Sequence, residues 1–449
     1  MNNFSKLGFI LATLGSSIGL GHIWKFPYMA GQNGGGAFVL FYLVLALVIG
    51  VSMLIAEMLI GNKAKTNPVD SFVVLEPNKK STWKFVGIVT IGGPMIMTFY
   101  AVVLGWVLYY LFVGSFSLPQ DLQSAKNTFG DLASGSIPTQ IIGMLACMFL
   151  TGYIVAKGVK AGIEKLNLVL MPLLFIIFIG LLIYACTLDS FGKAWEFMFA
   201  FHPKKLTSDV VLSALGQVFF ALSLGLGTIL IYGAYADSNE NLLSSSVWVV
   251  ISGLFISIVA GLMIFAFIFQ FDGEASAGPG LLFISLPLVF GKMGIWGNII
   301  SFLFMLCVAF AGITSTVSIV EPAAAYLKDR LNWSQAKATW VCCGIISVVS
   351  IFVILSITAQ YGATFSIGGM SLFDIFDNAT SKFLMPAGGF FMLIFTSYII
   401  GKKRLREYTQ NYLSPVLFEI WYIIIAFVAP IVIAVIGLAP LFKQSILGG

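Results

Sequence analysis

The sequence predicts an all-α polytopic membrane protein. Three observations predict it: the composition, about eleven apolar segments near the 20-residue length of a span, and basic connections gathered on one side. Of 449 residues 59% are hydrophobic and only 10% are charged. A water-soluble chain of this length could not hide so much apolar surface.

The segments follow in order. The first, 7–30, is apolar to Leu14 and then carries Gly15, Gly19, Gly21, His22, Lys25 and Pro27. The second, 37–60, ends at a basic connection holding Lys63, Lys65, Lys79, Lys80 and Lys84. Segments 85–113 and 138–156 follow, and Lys157, Lys160 and Lys165 separate the fourth from the fifth, 163–188. The sixth, 210–235, is interrupted at its centre, and 242–269 and 297–326 come next. Lys328, Arg330 and Lys337 lead into 338–357, and Lys402, Lys403, Arg404 and Arg406 divide 375–400 from 416–441.

With Lys6, these cations share one side. Lys126, Lys193, Lys204, Lys205, Lys292, Lys382 and Lys443 lie on the other, a bias of about two to one. The expected topology is multi-pass in the inner (plasma) membrane, N-terminus cytoplasmic and C-terminus outside. The net charge of +5 is then a topology signal, and no nucleic-acid partner is expected. The five cysteines lie in apolar runs and read as small hydrophobes, with no disulfide or metal framework. No cleavable signal is evident, because the first segment carries its own break.

That break, GSSIGLGHIWKFPYMAGQNGGG at 15–36, is costly in hydrocarbon, where each unsatisfied backbone group costs roughly several kcal/mol. It is tolerated where it lines a cavity. The sixth segment repeats it with Ser223, Gly225 and Gly227. Each break opens the first helix of a five-helix set, the pattern of inverted repeats with a ligand site between them. The organisation expected is a first repeat over 1–188, an inverted second repeat over 189–400, and an eleventh helix with its tail over 401–449.

The chain resembles the neurotransmitter:sodium symporter family over nearly its whole length. The resemblance rests on NGGGAF at 33–38, Glu57 and Gly61, Tyr100 with Trp106, KAGIEK at 160–165, GQVFF at 216–220, GPGLLFISLP at 278–287 and AGITS at 311–315. It implies the 5+5 inverted-repeat fold with discontinuous first and sixth helices, and sodium-coupled uptake by alternating access. The bacterial leucine transporter family, with eleven spans in its shorter members, is the nearest pattern.

By that resemblance the Leu20 and Gly21 amides and the Tyr100 hydroxyl hold a substrate carboxylate, while carbonyls near Ser17, Phe220, Ala221 and Ser223 hold an ammonium. Ser16, Ile96, Phe220, Leu226, Ser315 and Ile319 form the side-chain pocket. Gly19 stands where amine-transporting relatives place an aspartate, which implies a neutral amino acid with an apolar side chain. A sodium site is implied at the Gly15, Ile18 and Ala311 carbonyls with the Thr314 and Ser315 hydroxyls, hard oxygens for a hard cation.

The family's second sodium site is altered. Its three side-chain oxygens are replaced by His22, Ala221 and Gly253, so one sodium is expected and chloride dependence is not. One larger ring arrives where two neighbours have shrunk. Either an imidazolium at His22 replaces the missing sodium, or a neutral ring packs and bonds to Tyr42, Gln217 or Ser257. An outer gate is implied at Lys25 with Asp377, Gln217 nearby and Asp374 as second partner, and an inner gate at Tyr235 and Asp329. Glu57 is expected to cap backbone near the first helix.

The expected partners are a small amino acid, sodium and the lipid bilayer; the sequence sets no oligomeric state, a homodimer being one option. No catalytic constellation, metal-spaced Cys/His cluster or phosphate loop is present, so an enzyme is not expected. Two alternatives stay open: proton-coupled or proton-modulated transport on the same fold, and an amino-acid sensor that has lost transport.

Overall fold

The computed structural model describes residues 4–78, 81–205, 207–271 and 280–435. Lys79, Lys80, Gly278, Lys443, the far end of the eleventh segment and the C-terminal end lie outside the described residues. Within them every regular element is a helix. Nine helices of the described residues are long and apolar enough to span a bilayer, and a bent pair, Lys6–Ser17 with Gly21–Gln32, turns 48° at its break. The sixth segment is divided into Ser208–Ala221 and Thr228–Tyr235, each shorter than the roughly 20 residues a span requires.

The eighth helix, Ile295–Leu331, runs past the end of its apolar segment, because Lys328 and Arg330 extend it into the polar region. The end of the GPGLLFISLP motif falls in a short apolar helix, Leu281–Lys292, packed between the seventh and eighth spans. Short helices also occupy connections at Pro68–Leu75, Leu122–Gly130 and Phe191–Phe199. Hydropathy does not detect elements this short. Local caps define the first two: Asn67 accepts from the Val69 and Asp70 amides, and Asp121 forms a capping box with Ser124.

Burial sorts the spans into a core and a periphery. The most apolar stretches of Leu242–Gln270 and Ile295–Leu331 are 78% buried, whereas that of the fifth span is 28% buried. The fifth span therefore turns Val169, Ile176 and Ile183 outward, where lipid receives them at no cost. The second span and the inner half of the sixth approach closely at two glycines. A Cβ on Gly61 would lie 1.8 Å from the Leu230 carbonyl oxygen, and one on Gly233 would lie 2.3 Å from that of Met58. Only hydrogen fits there, which holds the inner half-helix against the bundle.

Candidate substrate and ion site

The two interrupted helices face each other at mid-bundle. Ile18 leaves helical geometry at φ −78° and ψ 84°, and Ser223, Gly225 and Gly227 take positive φ of 54°, 79° and 73°. Left-handed backbone is cheap for the glycines but strained for Ser223. Partners hold it in place: the Ser223 hydroxyl donates to the Ser16 carbonyl at 3.2 Å, and the Gly225 amide donates to Glu57 Oε1 at 2.6 Å. Glu57 thus caps the sixth helix's break and not backbone of the first, as the sequence had suggested. Its position on the buried second span decides this.

Between the breaks lies a cavity of about 30 Å³, lined by Ser16, Ser17, Gly19, Leu20, Gly21, Ile96, Tyr100, Phe220, Ser223, Leu226, Ser315, Ile319 and Met385. Of the residues expected at the substrate, Ala221 alone is absent from this lining; its Cα backs onto Gly21, 3.1 Å from where a Cβ would stand. The Leu20 amide donates to the Tyr100 hydroxyl at 3.4 Å. The Ser16 and Ser17 hydroxyls are buried without a hydrogen-bond partner among the described residues, and such groups normally have one.

On the side toward the fifth and eighth spans, Thr314 donates to the Phe310 and Ala311 carbonyls, both at 3.1 Å. A hydroxyl that donates to backbone keeps its lone pairs for a cation. A Cβ on Gly15 would stand 3.2 Å from Thr314 Cβ, and one on Gly19 would stand 2.2 Å from Ser315 Oγ. Gly15 and Thr314, two of the residues expected to hold sodium, are therefore neighbours across the first and eighth spans.

His22 is fully buried, and the Ser17 backbone is the polar group its ring faces. Its Nε2 would lie only 2.6 Å from a Cβ on Gly253. The ring thus fills the space of a missing side chain. The bonds expected from Tyr42, Gln217 or Ser257 are not formed: Tyr42 and Ser257 pair with each other at 3.3 Å, and Gln217 Nε2 donates to the Gly21 carbonyl at 2.7 Å.

Above the cavity, Lys25 Nζ lies 3.6 Å from the centroid of the Phe220 ring. Among the described residues it forms no ion pair within 4.0 Å with Asp377, which instead accepts from Ser381. Lys25, Asp374 and Asp377 do line one outer chamber of about 190 Å³, and Leu20, Tyr100 and Phe220 are the wall it shares with the central cavity. The Lys25 ammonium thus rests on the face of the Phe220 ring, in the same chamber as both aspartates.

Below lie the two residues expected at the inner gate. Tyr235 donates to Glu321 at 2.6 Å, and Asp329 accepts from Asn67 at 3.0 Å. Gln335 donates to the second Glu321 oxygen, so this buried carboxyl is fully partnered. Phe4 packs edge-on against Tyr232 and Tyr235, and its amide donates to the Tyr235 carbonyl at 3.0 Å.

The profile of the sodium:neurotransmitter symporter family matches residues 2–131 and 131–447. The chain belongs to this family. A sodium-dependent transporter of Bacillus subtilis, YhdH, is 33% identical over 97% of the chain and 96% of its own length. A sodium-dependent transporter of Haemophilus influenzae is 34% identical, over 98% and 97%. Neither has been characterised. The crystal structure of MhsT in complex with L-phenylalanine superposes with a TM-score of 0.88 at 34% identity, covering 97% of this chain and 99% of that one.

This symporter therefore has the inverted-repeat fold of its family. Three features of its site were not legible beforehand. Met385 reaches the cavity from the tenth span, Phe4 enters the inner closure, and Asn167 stands against Gly15. Nothing in the local pattern around Met385 or Phe4 signals them. Asn167 had one signal, an amide at 167 inside the apolar 163–188 run.

Proposed function

We propose that this symporter imports a neutral, apolar amino acid by alternating access, driven by one sodium ion held at Gly15, Ile18, Ala311, Thr314 and Ser315. The meeting of both interrupted helices at one small cavity carries the reading. Exposed amides at a broken helix suit a carboxylate, and exposed carbonyls suit an ammonium and a sodium. Ile96, Leu226, Ile319 and Met385 give the wall its apolar character. Phe220 with Lys25 above it forms the lid that must move, since about 30 Å³ is too small for an amino acid. MhsT was solved with L-phenylalanine, so phenylalanine and leucine are the first substrates to test.

The test is uptake into proteoliposomes under an imposed sodium gradient. Accumulation that vanishes when potassium replaces sodium and persists when gluconate replaces chloride supports the reading. Uptake indifferent to sodium overturns it, and binding without accumulation makes the chain a sensor. The inner-membrane orientation, N-terminus cytoplasmic, is checked by reporter fusions at each end.

The His22 ring stands against Gly253 at the altered second site, and a second reading has its imidazolium supply the charge of the missing sodium beside the substrate carboxylate. Uptake then varies with external pH in the native protein and loses that dependence in His22→Asn. Identical profiles would sink it.

A further inference from the structure

Asn167 lies on the fifth span with no solvent exposure. Its Nδ2 donates to the Ile163 carbonyl at 2.8 Å, which fixes which end of the amide faces where. The remaining atom, Oδ1, has no hydrogen-bond partner among the described residues. It is aimed at the first span: a Cβ on Gly15 would stand 1.8 Å from Oδ1, and the same point is 3.2 Å from Thr314 Cβ. A buried amide oxygen left without a partner is costly, and a leucine would pack the same volume without that cost. The oxygen faces two of the residues assigned to sodium.

We propose that Asn167 is a further oxygen ligand of that sodium ion, supplied by the fifth span. The inference rests on the one-sodium reading above and adds a residue to it. An amide carbonyl is a hard, neutral donor suited to a hard monovalent cation. Its placement also ties the ion to the inner side. Glu164, one helical turn earlier on the same face, accepts from the Ser5 amide and hydroxyl at the start of the first span. The fifth span thus grips the first at Ser5 through Glu164 and, through Asn167, at the ion beside Gly15.

The test uses the full-length protein purified in detergent, with sodium replacing choline at constant ionic strength. The readouts are thermal stabilisation and binding of radiolabelled sodium. Asn167→Ala and the isosteric Asn167→Leu are expected to raise the half-saturating sodium concentration about tenfold, and Asn167→Asp to restore it. Melting in sodium-free buffer reports packing separately. An unchanged sodium midpoint in Ala and Leu variants overturns the proposal, as does a loss confined to sodium-free stability or a failure of Asp to restore binding. Thr314→Ala marks the other failure. If it too leaves the midpoint unchanged, the sodium site itself is misassigned; if it shifts the midpoint and Asn167→Ala does not, only the added ligand is wrong.

Discussion

The hydroxyl of Ser223 donates to the carbonyl of Ser16 at 3.2 Å, so the two helix breaks are bonded to each other across the central cavity. Ser223 makes that bond from a left-handed backbone, φ 54°. Two costs can therefore be separated at one residue. Ser223→Gly loses the bond and relieves the backbone, whereas Ser223→Ala loses the bond and keeps the strain. Thermal unfolding in detergent should rank wild type, then Gly, then Ala, with Ala below Gly by about 1 kcal/mol.

Glu57 holds the Gly225 amide at 2.6 Å inside a fully buried setting. Glu57→Gln keeps an acceptor oxygen there and should retain most stability and uptake. Glu57→Ala strands a buried N–H and should lose about 1–3 kcal/mol. The check is melting temperature together with amino-acid uptake. Equal loss in both variants would show that the carboxylate's charge matters more than its bond.

His22 and Gly253 share one volume, with Nε2 2.6 Å from the position of a Cβ on residue 253. Gly253→Ala alone should overpack the site and cost about 1–3 kcal/mol. In a His22→Asn background the shorter side chain frees that space, so the same change should cost little. A double-mutant cycle on melting temperature measures the coupling, and additive effects would refute direct contact.

Lys25 caps the cavity by resting on Phe220, 3.6 Å from the ring centroid. Lys25→Met removes the charge and keeps the stem, and should weaken the lid by about 0.5–2 kcal/mol. Release of a bound radiolabelled amino acid to the outside should then accelerate by about two- to thirtyfold. An Asp377→Asn variant should change this rate less, because no ion pair joins Asp377 to Lys25.

Tyr235 donates to Glu321 while Phe4 packs against its ring, closing the inner side. Tyr235→Phe keeps the ring and loses the bond. It should favour the inward-open state, read as increased labelling of a cysteine introduced at Ser17. Unchanged labelling would assign the closure to Phe4 packing instead.

The readable parts of the site share one property. Gly15, Gly19, Gly21, Ser223, Gly225 and Gly227 interrupt apolar runs, and that interruption is written in consecutive residues. The side-chain contacts lack such a signature. Lys25 rests on Phe220 and Tyr235 donates to Glu321, and each contact depends on how one helix is rotated against another. The pairing of Glu57 with Gly225 spans 168 residues of sequence and has the same origin.

By itself the sequence determined where the chain crosses the bilayer, where two crossings break, and which residues gather at those breaks. Hydropathy and backbone freedom are local properties, and hydrocarbon enforces them strictly. The tertiary structure alone decided which side chains meet. It set Met385 in the cavity, Phe4 in the inner closure and the oxygen of Asn167 against Gly15. Those contacts follow from the register and rotation of packed helices, which no single segment encodes.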